Sequence, residues 1–359
     1  MVKSVYIHIP FCNKICSYCD FCKVLYNKKW INSYLDSLEN EIKQDYKNEQ
    51  IETIYIGGGT PSSLSIEELN KLFEIIKLFK LNDNYEFTIE CNVEDITKEK
   101  LELFKNNKVN RLSIGIESFN DEYLKYLNRS YKSKDIKNKI NLAKIYFNNI
   151  NIDLIYAIKN QTLDELEKDL DEIIKLDVTH VSCYSLIIEE HTKLFIDKVK
   201  PISPDLDYEM YKLINKKFKE TYDNYEISNY SKKGYESKCN LTYWHNEEYY
   251  GFGLSSASYI DNKRYNNTKN LTKYINKNYD RNYEYLTNDD KITYELILGF
   301  RLRKGINIDN FYNKYKIDIL SLDKIKKLLK EGYLEIKNNY ISVKEDYIYV
   351  LNDILVNFV

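Results

Sequence analysis

The sequence has little of what makes flexible linkers, since only 10 glycines and 4 prolines occur among 359 residues. It also lacks an excess of either charge, because 53 Lys and Arg stand against 55 Asp and Glu. This balance argues against a nucleic acid or an anionic membrane as partner. No apolar run approaches the roughly 18 residues of a membrane span, and Met1 leads into a charged strand without the apolar core of a signal peptide. We therefore expect a cytoplasmic protein without a membrane segment, whose parts pack together without a spacer.

The seven cysteines are distributed unevenly. Four fall within eleven residues (Cys12, Cys16, Cys19 and Cys22), whereas Cys91, Cys183 and Cys239 stand alone. An odd number, a tight cluster and an expected reducing compartment argue against a disulfide framework. The cluster therefore predicts a metal site.

Short apolar runs alternate with helix-period segments through the first half of the chain, as is typical of parallel strands joined by helical crossovers. The predicted strands are 5–9, 53–56, 86–90, 111–114, 151–155 and 180–184. Ser65 and Thr162 each begin a predicted capping box at the start of a helix. Six such units predict an α/β fold, an incomplete (β/α)6 barrel of the TIM type, in which the reactive groups lie where strands end.

The pattern changes near residue 200, and we expect three parts. Residues 1–200 form the barrel, 201–288 an extension, and 289–359 a small C-terminal helical domain resembling a winged helix. In this last part, Tyr294, Ile297, Leu298 and Leu302 predict the apolar stripe of a helix, and 332–343 predicts a two-stranded wing. The polar segment 262–285, with its interleaved tyrosines, fits either disorder or an ordered surface.

The strongest motif is Cys12-Asn-Lys-Ile-Cys16-Ser-Tyr-Cys19, directly after the first predicted strand. Three thiolates at such short gaps can hold one iron–sulfur cluster, and three ligands leave one iron of a [4Fe–4S] cube open. A structural zinc site usually draws its four thiolates from two separate knuckles, which are missing here. Zinc and a chance grouping of buried cysteines remain the alternatives.

This motif resembles the hallmark of radical S-adenosylmethionine (SAM) proteins. Its flanks, Tyr6-Ile-His-Ile-Pro-Phe11 and Cys19-Asp-Phe21, are similar to the oxygen-independent coproporphyrinogen oxidase family, and specifically to the heme-chaperone branch of that family. Further matching motifs lie at 57–61, 111–115, 153–156, 225–229, 243–244 and 298–302. The resemblance therefore covers nearly the whole chain in order.

The resemblance implies a [4Fe–4S] cluster on Cys12, Cys16 and Cys19, with SAM bound to its open iron and cleaved there to a 5′-deoxyadenosyl radical. It also implies a set of SAM-binding residues: Tyr6, Gly57, Gly58, Gly59, Thr60, Glu90, Glu117, Arg129 and Asp153. Glu90 would accept hydrogen bonds from the ribose, and Arg129 would pair with the SAM carboxylate. Ordinary structural roles are the alternatives: a tight turn for the glycines, solvent contact for Glu90, and salt bridges for Arg129 and Asp153.

Three departures from the family pattern affect these expectations. Cys22 as a fourth ligand would close the cluster and exclude SAM, and we expect that it is not a ligand because the SAM motifs would then be idle. The family's Gly-Leu-Pro-Gly is Ala-Ile-Lys-Asn at 157–160, which leaves that loop's geometry open. Cys239 replaces the His of a His-Asn-x-x-Tyr-Trp motif associated with heme, so Cys239 or the nearby His245 is the expected heme ligand. A free buried cysteine is the alternative.

The resemblance implies a heme chaperone, which binds heme or another porphyrin as cargo and delivers it to an acceptor hemoprotein. A reductant for the cluster is implied as a partner, and a homodimer is compatible with the family. One alternative is an oxygen-independent coproporphyrinogen III oxidase, which decarboxylates propionates with the adenosyl radical. Another is a four-cysteine protein for structure or electron transfer. The pair Asp20-Phe21 and the short stretch before Cys12 favour the chaperone.

Overall fold

The computed structural model describes residues 1–359. In the first half, strands and helices alternate. The strands are β1 (Ser4–Ile9), β2 (Phe11–Cys12), β3 (Val24–Leu25), β4 (Gln50–Gly58), β5 (Lys80–Asn92), β6 (Arg111–Glu117), β7 (Asn149–Tyr156) and β8 (His180–Ser185). The helices are α1 (Lys28–Asp45), α2 (Ile66–Ile76), α3 (Lys98–Asn106), α4 (Asp121–Tyr126), α5 (Ser133–Tyr146), α6 (Leu163–Leu176) and α7 (Lys193–Ile196). Both predicted capping boxes are present, at Ser65 before α2 and at Thr162 before α6.

The six predicted strands are confirmed as one parallel sheet. The strands β1, β4, β5, β6, β7 and β8 are neighbours in this order, and every pair among them is parallel. All six strands therefore end at the same edge of the sheet, which is the edge where a barrel of this type carries its reactive groups. The α/β fold with an incomplete (β/α)6 arrangement is confirmed.

The second half of the chain extends this sheet and then forms a small module. Its helices are α8 (Pro204–Phe218), α9 (Lys238–Trp244), α10 (Leu271–Ile275), α11 (Asn288–Gly299), α12 (Ile308–Tyr315), α13 (Asp323–Lys330) and α14 (Leu351–Leu355). Its strands are β9 (Asp223–Asn224), β10 (Asn229–Ser231), β11 (Tyr249–Phe252), β12 (Ala257–Ile260), β13 (Lys263–Asn266), β14 (Asn282–Tyr285), β15 (Ile306–Asn307), β16 (Leu334–Lys337) and β17 (Tyr340–Val343). Strand β10 pairs with β8, and β11 pairs with β1, so the extension lies along both edges of the parallel sheet. No helix is both long and apolar enough to cross a membrane.

Side chains alternate along the parallel strands, as the pleat requires. One set is apolar and fully buried, for example Ile7, Ile54, Ile89 and Ile152. The other set is polar and lies inside the curved sheet, where Tyr6 contacts Tyr55 and Asn151 contacts Ser113. The interior of the barrel is therefore polar rather than filled with aliphatic layers.

Two large hydrophobic clusters and a third of six residues around Leu127 and Ile158 hold the molecule together. The larger cluster of 61 buried residues runs from Val2 to Tyr279 and includes side chains of the extension, whereas a second cluster of 16 runs from Ile292 to Phe358. The three-part division of the chain stays a prediction, and the packing joins the first two parts in one core. The polar segment 262–285 is ordered as β13, α10 and β14.

The C-terminal module has the predicted wing, in which β16 pairs with β17, and β15 adds a third strand. The predicted stripe on α11 differs in part from the face that the helix buries. Ile292, Leu296 and Phe300 are buried in the core of the module, whereas Tyr294 is half-buried. Of the predicted stripe, Leu302 is buried and Ile297 packs against this core, and Phe300, directly after the helix, stacks on Phe358 with ring centroids 5.5 Å apart.

Candidate functional site

The loop that carries the cysteine motif folds back beside the end of β1. The short strands β2 and β3 pair with each other, and the Val24 amide donates to the Pro10 carbonyl at 2.8 Å. The loop therefore returns to its starting point and surrounds a cavity of about 140 Å³. This cavity is lined by Cys12, Cys16 and Cys19, but not by Cys22.

Most of the predicted site residues line this same cavity. They are Cys12, Cys16, Cys19, Gly58, Gly59, Thr60, Glu90, Glu117, Arg129 and Asp153. They come from the carboxyl ends of β4, β5, β6 and β7 together with the cysteine loop and the turn after α4. Gly57 and Tyr6 do not line the cavity and lie directly behind it.

The glycines at the end of β4 allow close approach between backbones. A Cβ on Gly59 would lie 2.6 Å from the carbonyl of Pro10, and Gly58 has a φ of +117° in the left-handed region. A Cβ on Gly57 would collide with the Glu90 carboxylate at 2.7 Å. Glycine is therefore required here to bring the β4 loop against the cysteine loop and to leave room for Glu90.

Glu90 is held by two donors. The Gly58 amide and the Tyr55 hydroxyl each donate to its carboxylate at 2.9 Å. Burial raises the pKa of Glu90 to about 7 in spite of these hydrogen bonds. Tyr6 stacks on Tyr55, with ring centroids 6.2 Å apart, and so contacts the site through that ring.

Arg129 lies across the cavity from Glu90. Its guanidinium donates to Asn92 Oδ1 at 2.9 Å, to the Gly115 carbonyl at 3.0 Å and to Cys16 Sγ at 3.0 Å. The Glu117 carboxylate lies 3.6 Å from Nη2 of Arg129. Burial raises the pKa of Glu117 to about 7. The Tyr131 hydroxyl also accepts from Nε at 3.2 Å, so four of the five guanidinium N–H donors are engaged and one on Nη1 remains for an anionic ligand.

A tight turn sets the position of Glu117. This residue has a φ of +57°, which is uncommon for a side chain of its size. The next residues are fixed by the buried Asp169 of α6, which accepts from Ser118 Oγ at 2.7 Å and from the Phe119 amide at 3.0 Å. A carboxylate outside the cavity therefore maintains the backbone that directs Glu117 into it.

A second cavity of about 400 Å³ adjoins the first. The two share Tyr18, Cys19, Phe21, Glu90, Glu117 and Asp153. Its volume falls in the usual range for small-molecule sites. Three thiols line the smaller cavity, and the larger cavity beside it carries polar side chains. This arrangement fits an iron–sulfur cluster with an organic ligand next to it.

The two predicted heme residues lie at the other end of the barrel. Cys239 is buried, with Ser4 at the start of β1 and Tyr243 as its sulfur neighbours. The length of β1 separates Ser4 from the cysteine loop by roughly 17 Å. His245 follows α9, is exposed, and lines a different cavity of about 380 Å³ between α9 and the C-terminal module.

The loop after β7 keeps left-handed backbone at both ends. Ala157 has a φ of +61° and Asn160 a φ of +65°. These are the two positions at which the resembling family has glycine. A side chain in left-handed backbone is disfavoured, so Ala157 carries strain at this position.

Sequence reasoning missed three residues of this region. Asn92 directly contacts Arg129, Asp169 supports the Glu117 turn, and His8 contacts the cysteine loop through its ring. Only His8 had a usable signal, because it alternates with Tyr6 on the inward face of β1. No group of three or more His, Cys, Asp or Glu side chains is arranged to hold a single metal ion.

Comparisons with known proteins agree with this geometry. Residues 6–173 match the model of the radical SAM superfamily, and residues 286–346 match the HemN C-terminal domain. A solved structure of coproporphyrinogen III oxidase (HemN) from Escherichia coli, a radical SAM enzyme, superposes with a TM-score of 0.86 at 22% identity. The superposition covers 99% of this chain and 90% of that one. At this identity the likeness concerns the fold.

Curated relatives are more similar in sequence. The heme chaperone HemW of Lactococcus lactis is 37% identical over 345 residues, which is 92% of this chain and 90% of that protein. The heme chaperone HemW of Bacillus subtilis is 38% identical over 351 residues, which is 93% of each chain. The resemblance inferred from the motifs is therefore confirmed along nearly the full length. The chain belongs to the HemW family of the radical SAM superfamily.

Proposed function

We propose that this chain is a heme chaperone that holds a [4Fe–4S] cluster on Cys12, Cys16 and Cys19 and binds SAM in the adjoining cavity. The observation that carries this proposal is the convergence of three thiols, a glycine loop, Glu90 and Arg129 at one end of the barrel. Seven free cysteines suit a reducing compartment such as the cytoplasm.

Each of these residues has a task that its surroundings support. Burial raises the pKa of Cys12 to about 11, so this thiol must lose a proton when it binds iron. Glu90 presents its carboxylate to ribose hydroxyls, and the Arg129 fork pairs with the SAM carboxylate. When bound, the cluster supplies the electron for reductive cleavage of SAM, while the barrel orients the ligand and excludes water.

Cys22 is not part of the proposed ligand set. It does not line the cavity, and its thiol faces Ser255 and Lys269 instead. The fourth iron of the proposed cluster would therefore be open to SAM, which gives the intact glycine loop a ligand to bind.

For heme we propose His245 as the axial ligand in preference to Cys239. His245 opens onto the cavity beside α9, whose walls include the aromatic side chains of Trp244, Phe311 and Tyr340. Lys314 also lines this cavity, but its ammonium already pairs with Glu295 at 2.5 Å and donates to the carbonyls of His245 and Asn246, so the assignment rests on His245 and the aromatic walls. Cys239 is 1% exposed and reaches no cavity of this kind. The bound heme, or another porphyrin, is cargo for an acceptor hemoprotein. An external reductant supplies electrons to the cluster.

The test is anaerobic reconstitution with iron and sulfide, followed by paramagnetic resonance of the reduced protein with and without SAM. We expect a [4Fe–4S] signal that changes when SAM is added, followed by saturable heme binding in a titration. A signal that is indifferent to SAM would contradict the open iron. Consumption of coproporphyrinogen III by the reduced protein would contradict the chaperone function and indicate an oxidase.

The heme ligand is tested by the Soret band of the heme complex. We expect that His245→Ala shifts the band, because the iron loses its axial imidazole, and that Cys239→Ala leaves it in place. A shift in the Cys239 variant alone would overturn this assignment. Melting curves of both variants without heme control for folding.

A further inference from the structure

His8 contacts both the cysteine loop and the glycine loop, which also touch each other directly at Gly59 and Thr60. It lies on the inward face of β1, and its ring is buried, at 6% exposure. Its Nε2 lies 2.7 Å from the Cys22 carbonyl oxygen, and its Nδ1 lies 3.0 Å from the Tyr6 hydroxyl. A carbonyl oxygen only accepts, so Nε2 carries the hydrogen and Nδ1 accepts from Tyr6. Both ring nitrogens therefore form hydrogen bonds, and these two bonds assign the tautomer with the hydrogen on Nε2.

The same ring contacts the glycine loop. A Cβ on Gly58 would lie 2.6 Å from the His8 ring, so the imidazole occupies the space that a side chain at position 58 would need. The φ of +117° at Gly58 brings its backbone against this ring. One imidazole thus contacts both the cysteine loop and the glycine loop.

The backbone of His8 is itself fixed from outside the barrel. The Tyr34 hydroxyl of α1 donates to the His8 carbonyl at 2.6 Å. Gly253 packs so closely that an added Cβ would lie 2.5 Å from the same oxygen. The imidazole therefore projects from a rigid support, which is what a side chain that positions a loop requires.

We infer that His8 is a positioning residue: its hydrogen bond to the Cys22 carbonyl holds the cysteine loop at a fixed place relative to the glycine loop, against which its ring packs. The inference rests on the proposed function, because the relative position of the two loops matters when a cluster and SAM must meet between them. His8 does not line the thiol cavity and acts only through the two loops.

Two substitutions separate the two hydrogen bonds of the ring. In His8→Gln, the amide nitrogen reaches the former position of Nε2 and still donates to Cys22. In His8→Asn, the shorter amide reaches only the position of Nδ1 and leaves the Cys22 carbonyl without its donor. Both variants keep a neutral polar side chain, so each is a control for the other.

In the reconstituted full-length protein, we expect the Asn variant to bind SAM roughly 10- to 100-fold more weakly, as loss of a supporting hydrogen bond does at metal sites. The SAM-induced change in the resonance spectrum gives the Kd. The Gln variant should stay within about threefold of the parent, well below the 10- to 100-fold loss expected for the Asn variant. Loss of iron from the Asn variant alone would also support the inference, whereas equal behaviour of the two variants would overturn it.

Hydrogen exchange of the full-length chain before reconstitution gives a readout without cofactors. We expect faster exchange in a peptide spanning residues 13–25 of the Asn variant and unchanged exchange in the Gln variant. Peptides from α13 report on folding and should not change in either. If the parent had no SAM-sensitive cluster, the proposed function would fail, yet exchange would still decide the role of His8. Parent-like exchange in the Asn variant would contradict it.

Discussion

The two ends of the barrel interior contain similar polar residues but satisfy them differently. At the end where the strands begin, His180 bonds Asn151 Oδ1 at 2.6 Å and the Tyr225 hydroxyl at 2.9 Å, so both its ring nitrogens are used. At the end where the strands finish, Glu90 and Arg129 face a cavity that three thiols also line.

This difference separates structural polar groups from binding groups. Buried polar groups usually pair with each other or with water. At the end where the strands begin, both ring nitrogens of His180 do so, although Nε of the buried Arg111 has no partner. Near the end of β1, the carboxylates keep raised pKa values because burial is not offset by a full set of partners. The end of the barrel at which a cysteine lies therefore guides its interpretation, and we expect a structural role for Cys239 and a ligand role for Cys12.

The largest expected effect is loss of the cluster. Replacing Cys12, Cys16 or Cys19 by Ala removes one of three thiolate ligands, and we expect each variant to lose its iron after anaerobic reconstitution. Iron and sulfide analysis together with the absorbance of the cluster measure this loss.

Two matched variants sharpen the comparison. Cys22→Ala changes a cysteine of the same loop, and Cys239→Ala changes one at the opposite end of the barrel. Both should retain the iron content of the parent. Loss of iron in Cys22→Ala would show that the loop uses four thiolates, and loss in Cys239→Ala would mean that the two ends are not independent.

The next effect is a pH dependence of stability in the chain without cofactors. Burial raises the pKa of Glu90 to about 7 from an ordinary value near 4.5. The folded state therefore binds more protons than the unfolded state between these values, and its stability falls as pH rises through this window. A shift of this size corresponds to about 3 kcal/mol.

Glu90→Gln removes this titration and resembles the protonated carboxyl group, because its amide oxygen accepts from the Gly58 amide and its amide nitrogen donates to the Tyr55 hydroxyl, which can accept. We expect the difference in free energy of unfolding between variant and parent to be small near pH 4.5 and to grow in favour of the variant toward pH 7. Denaturant titrations at several pH values measure it. Glu335→Gln on the exposed strand β16 is the control and should leave the pH profile unchanged. A profile that is parallel in parent and Glu90→Gln would contradict the burial argument.

The sequence predicts the strands and the cysteine motif well because both are local signals. The strands are predicted from runs of consecutive apolar residues. The metal site at Cys12, Cys16 and Cys19 is predicted from the spacing of the cysteines. The position of Cys239 is not local, because it depends on how α9 packs against the start of β1. The packing of Phe300 directly after α11 is likewise not local, because it stacks on Phe358, which lies 58 positions beyond it in the sequence. Both depend on contacts between distant segments.

A smaller effect is expected when the shape of the Arg129 side chain changes and its charge does not. Lysine cannot contact Cys16, Asn92 and Gly115 together, because it lacks the planar fork of donors. Hydrogen bonds to charged groups contribute about 1.5–3 kcal/mol, so Arg129→Lys should weaken SAM binding roughly 10- to 100-fold. Iron content should stay at the parent value. SAM affinity equal to that of the parent would remove Arg129 from the site.

The smallest effect concerns backbone strain at the end of β7. In the interior of α5, Ala143→Gly should cost about 2 kcal/mol, because it loses helix propensity and a buried methyl group. At Ala157, whose φ is +61°, the same substitution also removes left-handed strain of about 1–2 kcal/mol, so the net change should be near zero. Denaturant unfolding of the two variants measures the difference. If both lost the same stability, Ala157 would carry no strain, and glycine in the resembling family would need an explanation other than backbone geometry, such as close approach of a ligand.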